Sequence, residues 1–240
     1  LGDWHTCAIM ANDRVKCWGI NVEGRLGYGD TTNRGLSSAN MGDNLPFVNL
    51  SDAGTLKTVA AGGAHTCALL SDNRLKCWGR NDYGTLGLNE NVHRGDDWFE
   101  VGEENGGNGY KTTDVGTGRT AVTIGSGRGL HQCAVLDNGV LKCWGYNSNG
   151  QLGLGHTDDR GWGPSQMGDN LPGVDAGMAR RVKQVATGTS FTCAVFVDGQ
   201  LKCWGYNYYG QLGQGDVNAR GDDAGETGDA LMRVLLGSDY

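Results

Sequence analysis

One phrase occurs four times along this chain, and that repetition constrains the fold more than any other feature. Read forward from each first cysteine, the copies are "CAIMANDRVKCWGINVEGRLGYGD", "CALLSDNRLKCWGRNDYGTLGLNE", "CAVLDNGVLKCWGYNSNGQLGLGH" and "CAVFVDGQLKCWGYNYYGQLGQGD". The cysteines come in pairs ten positions apart, and the pairs recur after 60, 66 and 60 residues. Self-similarity at such a period marks a repeat architecture, in which each copy is one supersecondary unit and neighbouring copies stack to bury their faces. The units run approximately over 1–57, 58–121, 122–182 and 183–240.

Within a unit the pattern is that of strands. "VKQVATG", "FTCAVFV" and "LKCWGYN" are short apolar or β-branched runs bounded by glycine and aspartate, and helical periodicity is absent. The turn centres "DNR", "DNG" and "DG" suit the left-handed conformations of a tight hairpin. The 43 glycines, set against 3 prolines, serve such turns. A unit this long has room for four short strands and a long connection, which is the blade of a β-propeller. The expected fold is therefore all-β. With 20 Lys and Arg against 27 Asp and Glu and no basic stripe, the chain carries no electrostatic footprint for nucleic acid. No apolar run approaches the roughly 20 residues of a membrane-spanning helix.

"CWGYNSNGQLGLG", with the "VKQVATG" and "HTCAL" strands, resembles the repeat of the RCC1 family. The resemblance covers all four copies, because Trp18, Trp78, Trp144 and Trp204 are each followed by a glycine (Gly19, Gly79, Gly145, Gly205) and an asparagine (Asn21, Asn81, Asn147, Asn207). It implies a propeller, usually of seven blades. Two departures stand out: the cysteine pairs occupy positions where the family carries a leucine and a small residue, and four copies are present instead of seven. The chain opens at "LGDWHTC" and ends with "RVLLGSDY", in phase with the repeat. It therefore reads as an internal segment of a longer repeat chain, with a circle closed by four units as the alternative.

Across a three-residue turn centred on Asp72, Cys67 faces Cys77, and directly opposed residues of an antiparallel pair lie close enough for a disulfide. The same reading pairs Cys7 with Cys17, Cys133 with Cys143, and Cys193 with Cys203. Zinc would need CxxC-like spacing; His5, His65 and His131 precede their cysteines by two residues, but the fourth copy has Phe191 there, which points to packing. No CxxC redox motif occurs, and reduced core cysteines are the alternative. Structural disulfides place the protein outside the cytosol, in the extracellular space or at the cell surface.

The recurring tryptophans read as core beside the disulfides, with a sugar-stacking platform as the alternative. Leu26, Leu86, Leu152 and Leu212 read as anchors between blades. The RGD triplets at Arg94, Gly95 and Asp96 and at Arg220, Gly221 and Asp222 are candidate adhesion ligands. Yet Arg-Gly also occurs at Arg34 and Arg160, so a repeated turn with its arginine paired to a carboxylate is the competing reading. Asn49 lies in an N-x-S glycosylation pattern. Asp158 with Asp159, and Asp222 with Asp223, Glu226 and Asp229, read as solvated loop charges. Calcium is the alternative, although no EF-hand or nonapeptide pattern is present.

No serine sits in a nucleophile elbow and no acid and base converge in the sequence, so the expectation is a non-catalytic module. The leading reading is extracellular protein interaction or surface assembly, including self-assembly into filaments, with segments 89–118 and 156–180 as the first candidate contact surface. The family resemblance adds two alternatives, a regulator of a small GTPase and a secreted enzyme inhibitor.

Overall fold

In the computed structural model, which describes residues 1–50, 55–101, 109–125, 127–178 and 180–237, each cysteine pair straddles a hairpin with a three-residue turn. The third turn residue is Asp13, Asn73, Gly139 or Gly199, and all four adopt positive φ, between 56° and 83°. That left-handed residue lets the chain reverse while keeping the twist of the flanking strands. The hairpins pair β1 (His5–Ile9) with β2 (Val15–Gly19), β4 (His65–Leu70) with β5 (Leu75–Gly79), β7 (His131–Leu136) with β8 (Leu141–Gly145), and β10 (Phe191–Phe196) with β11 (Leu201–Gly205).

An inner strand joins three of them: β3 (Leu56–Ala61) on β4, β6 (Ala121–Ile124) on β7 and β9 (Val182–Thr187) on β10, all antiparallel. The register slips at the same place in each, leaving Lys57, Val122 and Lys183 as bulge residues. The sequence leads to four strands per unit; among the described residues the last three units hold three each and the first holds two. The fourth is reduced to single bridges, Gly19 to Arg34, Gly79 to Arg94, Gly145 to Arg160 and Gly205 to Arg220. The glycine after each arginine has positive φ, and short 3-10 turns follow in three of the units, so the outer segment cannot stay extended.

These sheets are propeller blades, and their burial shows how they stack. Every residue of β4, β5, β7 and β8 is buried, because both faces of the second and third blades are covered. In the fourth blade β10 alternates buried and half-buried positions. The first three disulfides each share a cluster with their own blade's leucine and the next blade's tryptophan: Cys17 with Leu26 and Trp78, Cys67 and Cys77 with Leu86 and Trp144, Cys133 and Cys143 with Leu152 and Trp204. The four leucines are fully buried, as are Trp78, Trp144 and Trp204. Trp18, in the first repeat of the sequence, is half-buried against the Gly35 turn of its own blade.

The polar atoms of these interfaces repeat as faithfully as the apolar ones. Trp78 Nε1 donates to the Arg25 carbonyl (3.1 Å), Trp144 to Thr85 (3.1 Å) and Trp204 to Gln151 (3.0 Å). Gly24, Gly84 and Gly150, at φ 72° to 74°, lie directly under the Arg-Gly turn of the following blade, where any Cβ would collide with backbone. Among the described residues no helix is long and apolar enough to cross a membrane.

Candidate docking face

The inner ends of the blades and the loops after each "CWG" emerge on one side of the stack, and the hairpin turns on the other. On the first side every loop hangs on one asparagine. Asn147 is fully buried; its Oδ1 accepts from Leu152 N (2.9 Å), and its Nδ2 donates to the carbonyls of His156 (2.7 Å) and Asp158 (3.0 Å). Asn21, Asn81 and Asn207 hold the corresponding loops in the same way. Behind the loops, Lys16, Lys142 and Lys202 donate from Nζ to the carbonyls of Gly42, Gly168 and Gly228, fixing the long connections. Lys76 instead reaches back to the Leu50 carbonyl (2.9 Å).

With Trp, Gly, Asn and Gly fixed, the free positions of W-G-x-N-x-x-G point outward. In successive copies they are Ile20, Val22 and Glu23; Arg80, Asp82 and Tyr83; Tyr146, Ser148 and Asn149; Tyr206, Tyr208 and Tyr209. Tyr83 and Tyr146, from neighbouring blades, bring their rings to 4.7 Å. Tyr208 and Tyr209, 66% and 82% exposed, meet edge-on at 5.0 Å beside Tyr206. Two hollows open among these loops. One, of about 430 Å³, lies at the inner ends between Trp4, Arg25, Arg80 and Arg128. The other, of about 780 Å³, runs outward past Tyr83, Tyr146 and Trp162.

The histidines of "HTC" lie beneath this face and belong to the stack. His5 Nε2 bonds Thr66 Oγ1 (2.8 Å) and His131 Nε2 bonds Thr192 Oγ1 (2.8 Å), while His65 Nε2 reaches Gln132 Oε1 (3.3 Å). Each threonine hydroxyl already donates to a carbonyl, Arg25 or Gln151, and the Gln132 amide donates to Gly125 and Cys133. The imidazoles must therefore donate from Nε2, which fixes their tautomer. Burial holds His5 and His131 down at about 3 and His65 at about 4, so all three are neutral at pH 7.

The remaining sequence candidates are placed as follows. The eight cysteines form four disulfides with Cα atoms 4.1 Å apart. In the RGD triplets, Arg94 is held by Glu90 (2.6 Å) and Glu100 (2.9 Å), and Arg220 by Asp216 (2.7 Å); Arg34 grips Asp30 with both Nη atoms, and Arg160 contacts His156 (3.1 Å). Gly95 and Gly221 are buried under the preceding blade. Burial pushes the Asp222 and Glu100 carboxyls up. Glu226 accepts from Gly221 N and Asp223 N, and Asp229 faces Arg180 (3.3 Å). Among the described residues no group of three or more His, Cys, Asp or Glu is set to hold a metal. Asn49 is half-buried, and Ser51 of its pattern lies outside the described residues. Segments 89–118 and 156–180 lie outside them in part; of the outward aromatics on the loop face, 156–180 supplies Trp162. The loop-face tyrosines went unremarked in the sequence because they are embedded in its most regular phrase.

Two family models, both of the Regulator of chromosome condensation (RCC1) repeat, match this chain, one over residues 1–25, 56–85 and 182–211 and the other over 138–195, together more than half of it. The chain belongs to the RCC1 repeat family. Among RCC1-repeat relatives, the ultraviolet-B receptor UVR8 of Arabidopsis thaliana is 29% identical over 90% of this chain and 42% of its own length. The human E3 ubiquitin-protein ligase HERC2 is 26% identical over 99% of this chain and 4% of its own length. Prp20p of Saccharomyces cerevisiae shares the fold, with a TM-score of 0.65 at 20% identity over 98% of this chain and 49% of that one. The RCC1 repeats here thus span less than half the length of each of these relatives.

Proposed function

We propose that this chain is a non-catalytic protein-docking module that works outside the cell or at its surface, and that partners meet the face built by the W-G-x-N-x-x-G loops. One observation carries the reading: within loops whose framework is identical in every blade, the outward positions hold aromatics, Tyr208 at a position exposed in all four copies and Tyr83 paired with Tyr146 across an interface. Exposed tyrosine clusters on a rigid frame suit protein recognition, since they bury large area at little cost in side-chain entropy. The structure of Prp20p is described with its binding to Gsp1p and histones, so protein binding occurs on this fold. The four disulfides support an oxidising compartment. Support for a non-catalytic role comes from His5, His65 and His131, which are spent on inter-blade bonds.

A photoreactive amino acid placed at Tyr209, or as a control at Asn138 in a hairpin turn, tests the docking face on native material. Crosslinks to a defined protein from Tyr209 and none from Asn138 are expected; the reverse pattern moves the contact to the other side. Free thiols in material isolated with thiol-blocking reagent would end the extracellular assignment and favour the small-GTPase regulator.

A further inference from the structure

We infer that the groove between the second and third blades seats a lysine or arginine side chain of the protein partner. This rests on the docking face proposed above and assigns chemistry to one part of it. Tyr83 and Tyr146 form one aromatic surface at 4.7 Å, and Trp162, 48% exposed, lines the same groove. Asp82, Asp158, Asp159 and Arg160 line it too; Asp82 is taken by Arg80, whose guanidinium stands 5.9 Å from the Tyr83 ring, which leaves Asp158 and Asp159 as the carboxylates at the opening.

The cations nearby are already occupied. Arg80 is bound to Asp82 (2.6 Å), while Arg160 is turned to the Asp159 carbonyl (3.3 Å) and His156 (3.1 Å). The Asp158 side chain is 74% exposed, and the guanidinium nitrogen that faces it, Arg160 Nη2, stands 3.9 Å away. It can take up an incoming cation without breaking a short ion pair. Asp159 accepts from Asn147 N (2.7 Å), which fixes its carboxylate at the rim.

The repeat supplies the internal control. At the first interface the positions of Tyr83, Tyr146 and Trp162 are held by Glu23, Arg80 and Asp96; at the third, by Asn149, Tyr206 and Asp222. Where Asp158 stands, the other copies have Thr32, Val92 and Asn218. Three aromatics and an unspent carboxylate coincide at the second interface alone, so they are not demanded by blade packing. Ring faces beside carboxylates attract a desolvated ammonium or guanidinium through both the quadrupole and the charge, and the chain's net charge of -7 favours a basic partner.

The test uses the full chain and three fluorescein-labelled peptides of alternating glycine with arginine, lysine or glutamate, followed by anisotropy. The basic peptides should bind and weaken with salt, the acidic one should not, and Trp162→Ala and Asp158→Asn should each weaken binding about three- to tenfold. Near-ultraviolet circular dichroism verifies that Trp162→Ala is folded, and Asp158→Asn changes an exposed side chain only. Equal binding of acidic and basic peptides, no binding of any, or indifference to both variants overturns the assignment. So does displacement of the basic peptides by a neutral oligosaccharide, which would make the occupant a sugar. Crosslinking from Tyr209 that survives in both variants, with peptide binding absent, would sink this groove while leaving the docking face standing.

Discussion

Asparagine and histidine do structural work here that their polarity alone would not suggest. Asn147 satisfies one backbone N–H and two carbonyls from a site with no access to water. Replacing it with alanine leaves the Leu152 N–H buried and unpaired and two part-buried carbonyls without this partner, so Asn147→Ala should lose about 1–3 kcal/mol in urea unfolding; a loss within experimental error would show that the loop is held elsewhere. His5, His65 and His131 carry a pH dependence of definite sign. Their folded values, about 3 to 4, lie below the ordinary 6.5, so between these limits the unfolded chain binds more protons. Their contribution is complete above pH 6.5 and drains away as pH falls toward 3. His131→Phe installs the residue that the fourth copy already has, Phe191, and should flatten the acid-side slope of stability relative to wild type. Parallel slopes for the two proteins would refute the assignment.

At the scale of the element, the hairpin combines a left-handed turn residue, a fixed register and a disulfide between directly opposed residues. Closing an 11-residue loop contributes about 2.7 kcal/mol on the chain-entropy account. Because Cys67 and Cys77 lie in the cluster with Leu86 and Trp144, a Cys67→Ala, Cys77→Ala double variant should lose at least that much, and reduction of the unfolded wild type should add eight hydrogens to its mass for the four bonds. Calorimetry that finds the double variant as stable as wild type would remove the disulfide from the list of stabilising features. The hairpins were legible in the sequence, down to the centre of the turn at Asp72, because turn type, strand alternation and cysteine spacing all specify one register. The missing fourth strand was not legible. Arg-Gly was visible as a repeated turn, but how far the outer segment bends depends on the 3-10 turns that follow it and, in three of the units, on the lysine that ties the connection down.

At the scale of the molecule, stability is a sum of blades and of the contacts between neighbours. Glycines of like conformation should therefore differ according to what lies across the interface. Gly84→Ala places a Cβ against the backbone of Gly161 and Trp162 in the next blade, whereas at Gly118, in the connection of the same unit, nothing lies within 4 Å. Both residues have positive φ, 74° and 66°, so the conformational penalty of about 1–2 kcal/mol is common to the pair. Gly84→Ala should be several kcal/mol worse than Gly118→Ala in a paired melting experiment; equal effects would mean that the neighbouring turn yields freely.

The division of information between sequence and structure follows from range. Repeat period, strand character, hairpin register and cysteine partners were set by residues within about ten positions of each other, where local geometry leaves few alternatives. What lies across an interface depends on residues some 60 positions apart. Only the stacked blades reveal that His5 answers Thr66, that Trp144 answers Thr85, and that Tyr83 and Tyr146 come together beside Asp158. A repeat conceals such pairs, because every copy looks alike in sequence and only packing decides which copy faces which.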